Sequence, residues 1–169
     1  MRVDEARLRL DGVRRRPLAV VLVVAVVAVV TGLLARPVWD DRARVDRARE
    51  AEAAARRAVV SMISVSSKTL EQDIADVLAL STGEFRTQFE AQRSSYVEAI
   101  GTAGVTAQGD VVEVGVISNE VDEVVLLVAS TATVRNAAVP QGDRRAYRMK
   151  VTLVPSKDRW LVSKMELVA

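Results

Sequence analysis

Histidine and cysteine are both absent from this 169-residue chain, and that absence removes most of the chemistry a small domain could perform. The commonest general base, the usual catalytic triads, thiolate nucleophiles, disulfides and the imidazole and thiolate ligands of zinc all go with them. What remains is a short set of candidates. Asp73 and Asp76 stand at i, i+3, a spacing that can hold a metal or share a proton. No third acid or histidine converges with them, so the pair reads as solubilising charge on a helix face. Glu120, Asp122 and Glu123 surround a turn too short, and too irregular in ligand order, for a calcium loop. Arg144, Arg145 and Arg148 form a basic patch that could meet phosphate headgroups or a partner, or simply keep a strand edge solvated. Phe85, Phe89, Tyr96 and Trp160 are four of the six aromatic residues in the chain. They either line one apolar cavity suited to a lipid-like ligand or fill the core of a domain short of aromatics. No glycine-rich phosphate loop, nucleophile motif or metal-ligand spacing occurs. The expectation is a non-enzyme with no catalytic residue, no cofactor and no metal.

The elements that would position these residues follow from periodicity. A helix rich in Ala and Arg runs from about Val38 to Ser66. Val38, Val45 and Val59, with Ala48, Ala55 and Met62, resemble a coiled-coil seam, but Glu52 interrupts it and it spans only three or four heptads; the favoured reading is an ordinary helix whose far end packs on its own domain. Thr69 is a fair N-cap for a second helix through Ile74, Val77 and Leu78 to about Leu80. Ser81-Thr82-Gly83 breaks the pattern, and a third helix carries Phe85, Phe89, Tyr96 and Ile100 on one face until Gly101 and Gly104 end it. From Val105 the period becomes two. Strands are predicted over Val111–Ile117 (Val112, Val114 and Val116 on one face), Val124–Val134, Tyr147–Val154 and Trp160–Val168. Their short connections predict an antiparallel meander. Helices followed by strands give an α+β domain. Three helices on a curved four-stranded sheet predict a cone-shaped fold of the nuclear-transport-factor-2 (NTF2) type, with a cystatin-like arrangement as the alternative.

Ahead of all this lies a membrane signal. Leu18 to Ala35 is 18 uncharged residues, eight of them Val. As a helix it reaches ~27 Å, close to the ~30 Å hydrocarbon core, and its Val and Leu residues favour insertion by about 5 kcal/mol. The run is longer than a cleaved signal sequence needs, and Leu33 and Arg36-Pro37 make a poor cleavage site. Six Arg in the 16-residue tail before it predict a cytoplasmic N-terminus and an extracytoplasmic domain. Ala28 and Gly32 form a small-xxx-small pair through which another helix could approach. The predicted organisation is a basic tail (1–17), a transmembrane helix (18–35), a juxtamembrane helix (36–66) and a domain (67–169). Residues 68–134 carry 3 basic against 11 acidic residues, and residues 68–169 net −3. A nucleic-acid binder places its positive charge on the folded domain, so that class is excluded. Without cysteine, an exported domain must hold together by packing alone.

The N-terminal anchor, the Ala/Arg helix, Leu80-Ser81-Thr82-Gly83-Glu84-Phe85 leading to Phe89 and Tyr96, and a Val-rich meander ending Trp160-Leu161-Val162-Ser163-Lys164 together resemble the Mce-associated membrane proteins of mycobacteria and related actinobacteria. The resemblance covers about residues 17–168. It implies an accessory or stabilising subunit of an Mce-type lipid or sterol importer, touching membrane lipids and Mce subunits, with no catalytic residues to carry over. The alternative is a membrane-anchored lipid-binding module acting alone. Some relatives carry an outer-envelope label; a helical anchor fits the plasma membrane better, because outer-membrane spans are usually barrels.

Overall fold

The structure, a computed structural model, describes residues 41–168. The apolar run 18–35 and the Ala28–Gly32 pair lie outside these residues, and among the described residues no helix is long and apolar enough to cross a membrane. The compact unit begins at Arg44. Its elements are helix α1 over 41–63, strand β1 (Val65–Ser66), helices α2 (Leu70–Ala79) and α3 (Gly83–Ala103), and strands β2 (Thr106–Asn119), β3 (Val124–Arg135), β4 (Asp143–Ser156) and β5 (Arg159–Leu167).

The sheet is antiparallel with strands in sequence order, β1-β2-β3-β4-β5, as the short connections require. It has five strands rather than four: Val65 and Ser66 leave the predicted helix and pair with Ala107 and Thr106. A two-residue strand is too short to show a period. Along β3, Val124, Leu126 and Val128 are fully buried, and along β4 Met149, Val151 and Leu153 join them, as their alternation predicts. β2 departs from its predicted face. The register against β3 shifts between Val111 and Glu113 and again between Val116 and Ser118, so Val112 and Ile117 are bulge residues. Val111, Val114 and Val116 therefore stand opposite Ser130, Val128 and Leu126, while Val112 is 60% exposed. A bulge resets the period of two, which is why Val112 does not share a face with Val114.

Helix α1 packs on its own domain. Ala51, Ala54, Ala55, Ala58 and Val59 are at most 5% exposed, at the i, i+3, i+4, i+7, i+8 spacing of one helix stripe. They share a single buried cluster with Val124, Leu126, Val151, Leu153, Trp160 and Val162, so the core spans the line drawn between residues 66 and 67. Of the seam sketched from heptads, Ala55 and Val59 lie in this stripe, whereas Val45 is exposed. Glu52 sits at its margin, paired with Arg56 at 3.0 Å. Small side chains let the helix axis approach the sheet closely, which a Leu-rich stripe would prevent.

Helix α2 starts after Thr69, whose side chain makes no capping bond to the backbone. Asp73 supplies the order there instead: its carboxylate accepts from the Ser66 N–H at 2.8 Å and the Thr69 hydroxyl at 3.1 Å. Helix α3 runs through Gly101 to Ala103 and ends at Gly104, which is left-handed at φ 58°. The Val105 N–H then reaches back to the Ile100 carbonyl at 3.2 Å, closing the helix in the manner that glycine at this position favours.

Candidate functional site

Helix α3 has no fully buried residue. It leans on the sheet through half-buried side chains such as Phe85 and Ile100, and between them sheet and helix do not close fully. The result is a half-open cavity of about 650 Å³, within the range of small-molecule sites. Its walls are Met62 and Ile63 from the end of α1, Val65 from β1, Phe85 and Ile100 from α3, Val105 just before β2 and Ala107 at its start. Ala132 and Val134 of β3, Arg145, Tyr147 and Met149 of β4, Met165 and Leu167 of β5, and Asn136 complete it. The small Ala107 and Ala132 leave space that larger residues would fill, and three methionines supply an adaptable apolar surface.

Among these lining residues Arg145 alone carries a formal charge. It stands opposite Ala132 in the ladder and shares a face with Tyr147 and Met149, two and four positions on. Its Nε donates to Asp143 at 3.1 Å. That hydrogen bond is the chief cause raising the guanidinium pKa further above its ordinary value, so the group stays charged at any pH the protein meets. Asn136 opens the loop before β4. Its Oδ1 accepts from the Ala138 and Val139 N–H groups at 3.0 and 2.9 Å, which fixes the carboxamide at the cavity wall.

The four aromatic residues singled out in the sequence do not line one cavity. Phe85 lines it. Trp160 is 9% exposed in the main core. Phe89 and Tyr96 belong to a second cluster with Val65, Leu70 and Ile74, the rings stacking in sequence along α3 with centroids 6.0 Å (Phe85–Phe89) and 5.7 Å (Phe89–Tyr96) apart. A face defined by i, i+4 spacing on a 21-residue helix is spread over two clusters, because the helix is far longer than either. The basic patch is also divided. Arg145 faces the cavity, whereas Arg144 and Arg148 stand opposite Thr133 and Ala129 on the other sheet face. Continuing the β4 alternation back from Tyr147 to Asp143 would have revealed this, but the charged run masks the start of the strand. Nothing in the local pattern of the cavity's methionines and alanines points to a cavity. Asp73 and Asp76 do not form a metal pair: Asp73 is engaged as above and Asp76 accepts from Gln72 at 2.7 Å. Among the described residues no group of three or more acids is placed to hold a metal ion.

The two segments that carried the family resemblance meet in space. Ser81 bridges to Val162, the Thr82 N–H donates to the Val162 carbonyl at 2.8 Å, and the Val162 N–H donates to the Leu80 carbonyl at 3.0 Å. The Thr-Gly turn is thus sewn to the Trp-Leu-Val strand and sets where α3 departs and where Phe85 enters the cavity.

The fold is an α+β domain with a curled antiparallel sheet, and it resembles the NTF2-like periplasmic domains of type IV secretion systems. It is similar to an IcmL-like type IV secretion system protein from Legionella pneumophila (TM-score 0.59, 12% identity, 72% of this chain and 91% of that one). It is also similar to the periplasmic domain of DotI (TM-score 0.58, 8% identity, 69% and 91%) and to CagV, a VirB8 homologue from Helicobacter pylori (TM-score 0.55, 11% identity, 69% and 94%). At these identities the likeness is one of fold. The chain belongs to the family described as uncharacterized protein Rv1363c/MT1408-like, whose model matches residues 16–169. It is 31% identical over 165 residues to uncharacterized protein Rv1363c of Mycobacterium tuberculosis, an alignment covering 96% of this chain and 63% of that protein.

Proposed function

We propose that this protein is a non-enzymatic accessory subunit that stabilises an Mce-type lipid or sterol import complex in the cell envelope. In this reading residues 18–35 span the plasma membrane with the N-terminus in the cytoplasm, and the NTF2-like domain stands outside. The observation that carries it is the join between anchor and domain. Only residues 36–43 separate the apolar run from Arg44, where the compact unit begins. An anchor so near the domain in sequence suits a subunit that works beside a membrane complex. The mycobacterial relative and the fold shared with periplasmic and other type IV secretion system proteins support the same reading. Ala28 and Gly32 offer a contact for a neighbouring helix.

Deleting the gene should lower the amounts of the Mce proteins and reduce uptake of labelled fatty acid or sterol, and the detergent-solubilised full-length protein should co-purify with Mce subunits. Unchanged Mce protein levels and unchanged uptake would overturn this reading. The cavity favours a second one, in which the anchored domain is itself a lipid-binding module. Its lining supplies no carboxylate or imidazole for proton transfer, but ample apolar surface for an alkyl chain.

A further inference from the structure

The cavity is not uniformly apolar, and the position of its one charge limits what can occupy it. Arg145 and Asn136 supply hydrogen-bond donors, while Met62, Met149 and Met165 supply flexible apolar wall. Asp143 occupies Nε of Arg145 and the Tyr147 side chain lies beside the guanidinium; together they orient the group and leave room at its terminal nitrogens for a further acceptor. A planar fork of this kind suits a carboxylate or a phosphate. We propose that the cavity binds an amphiphile with one anionic head and one long alkyl chain, the head on Arg145 and Asn136 and the chain against the three methionines. This rests on the lipid-binding reading of the cavity and adds its head-group chemistry. Asp143 offsets the cationic charge, and the Arg145 side chain is 56% exposed. The head therefore contributes a modest selectivity, roughly five- to tenfold, while the chain supplies most of the affinity, up to about fourfold per methylene.

The test uses the full-length protein in phosphatidylcholine nanodiscs, with empty discs as the background, and labelled palmitate, hexadecyl phosphate and hexadecanol as probes. Palmitate or hexadecyl phosphate should bind above background and more tightly than hexadecanol. The tighter of the two assigns the head as carboxylate or phosphate. Arg145→Gln should weaken the anionic probes roughly five- to tenfold and leave hexadecanol unchanged. Ala132→Phe should abolish the excess binding; Leu167→Trp at the exposed rim should weaken it and guards against a misfolded Ala132→Phe. Equal binding of hexadecanol and palmitate, both insensitive to Arg145→Gln, would overturn the head-group assignment while leaving the lipid-binding reading standing. Palmitate binding untouched by both wall variants would place the ligand elsewhere and overturn the site. No binding above empty discs would overturn the lipid-binding reading itself.

Discussion

Tyr96 and Asp73 illustrate how single residues acquire roles through their surroundings. Burial raises the Tyr96 pKa from its ordinary value of 10.0, and the nearby Asp73 charge raises it further. The neutral phenol is thus favoured in the folded state, which retains a proton that the unfolded chain has released. Stability from this source is full below about pH 10 and is lost as pH rises through the higher folded value. Urea unfolding of a fragment spanning residues 41–169 should show stability falling more steeply above about pH 10 than in Tyr96→Phe; parallel pH profiles would disprove the coupling. In sequence Asp73 looked like solubilising charge, because i, i+3 acids on a helix usually are. Its two hydrogen bonds come from Ser66 and Thr69, and the first depends on β1 leaving the helix where it does. The orphan Ser130 hydroxyl is a comparable case: it is buried and finds no hydrogen-bond partner among the described residues, a property set by its β3 register position opposite Tyr147.

Between elements, the end of α1 packs closely against β2. A Cβ on Gly109 would lie 2.1 Å from Ile63 Cγ1 and 2.4 Å from Cδ1, and the Gly109 N–H donates to the Ser64 hydroxyl at 3.1 Å. Glycine is required here by close approach. Gly109→Ala should cost about 1–3 kcal/mol, as overpacking does, read as a lower urea midpoint. Combined with Ile63→Ala, the loss should be less than the sum of the two single losses; strict additivity would show that the two side chains do not collide. The bulges at Val112 and Ile117 also belong to this scale. They fall in a stretch with Val at 111, 112, 114 and 116 and Ile at 117, where any choice of alternating face looks apolar, so periodicity could find the strand without finding its register.

For the molecule as a whole, the stripe of Ala51, Ala54, Ala55, Ala58 and Val59 makes α1 part of the core. A fragment beginning at residue 67 would uncover Leu126, Val128, Val151 and Leu153, at a loss comparable with the whole stability margin of about 5–15 kcal/mol. Residues 41–169 should unfold in one cooperative transition, whereas residues 67–169 should bind a hydrophobic dye and show no such transition. A cooperative, dye-free 67–169 fragment would show that the sheet and its two later helices suffice. The cavity is a property at this scale as well. Its walls come from seven separate elements and two loop residues, and α3 rests on the sheet beside it without burying any residue fully.

Sequence alone dictates the class of the fold, the order of its helices, the meander and the buried faces of β3 and β4. Each of these rests on local periodicity and short connections, which act within one element or between neighbours. It also determined that no imidazole or thiol chemistry is open to the protein. Long-range packing was needed to show that α1 closes the core, that β1 exists, that the register of β2 is reset twice, and that Phe85 lines the cavity while Phe89, Tyr96 and Trp160 do not. It likewise placed Arg145 on the cavity face and Arg144 and Arg148 on the other. These outcomes depend on contacts between residues far apart in the chain, and on bulges and close approaches that change which face a residue presents without changing its local pattern.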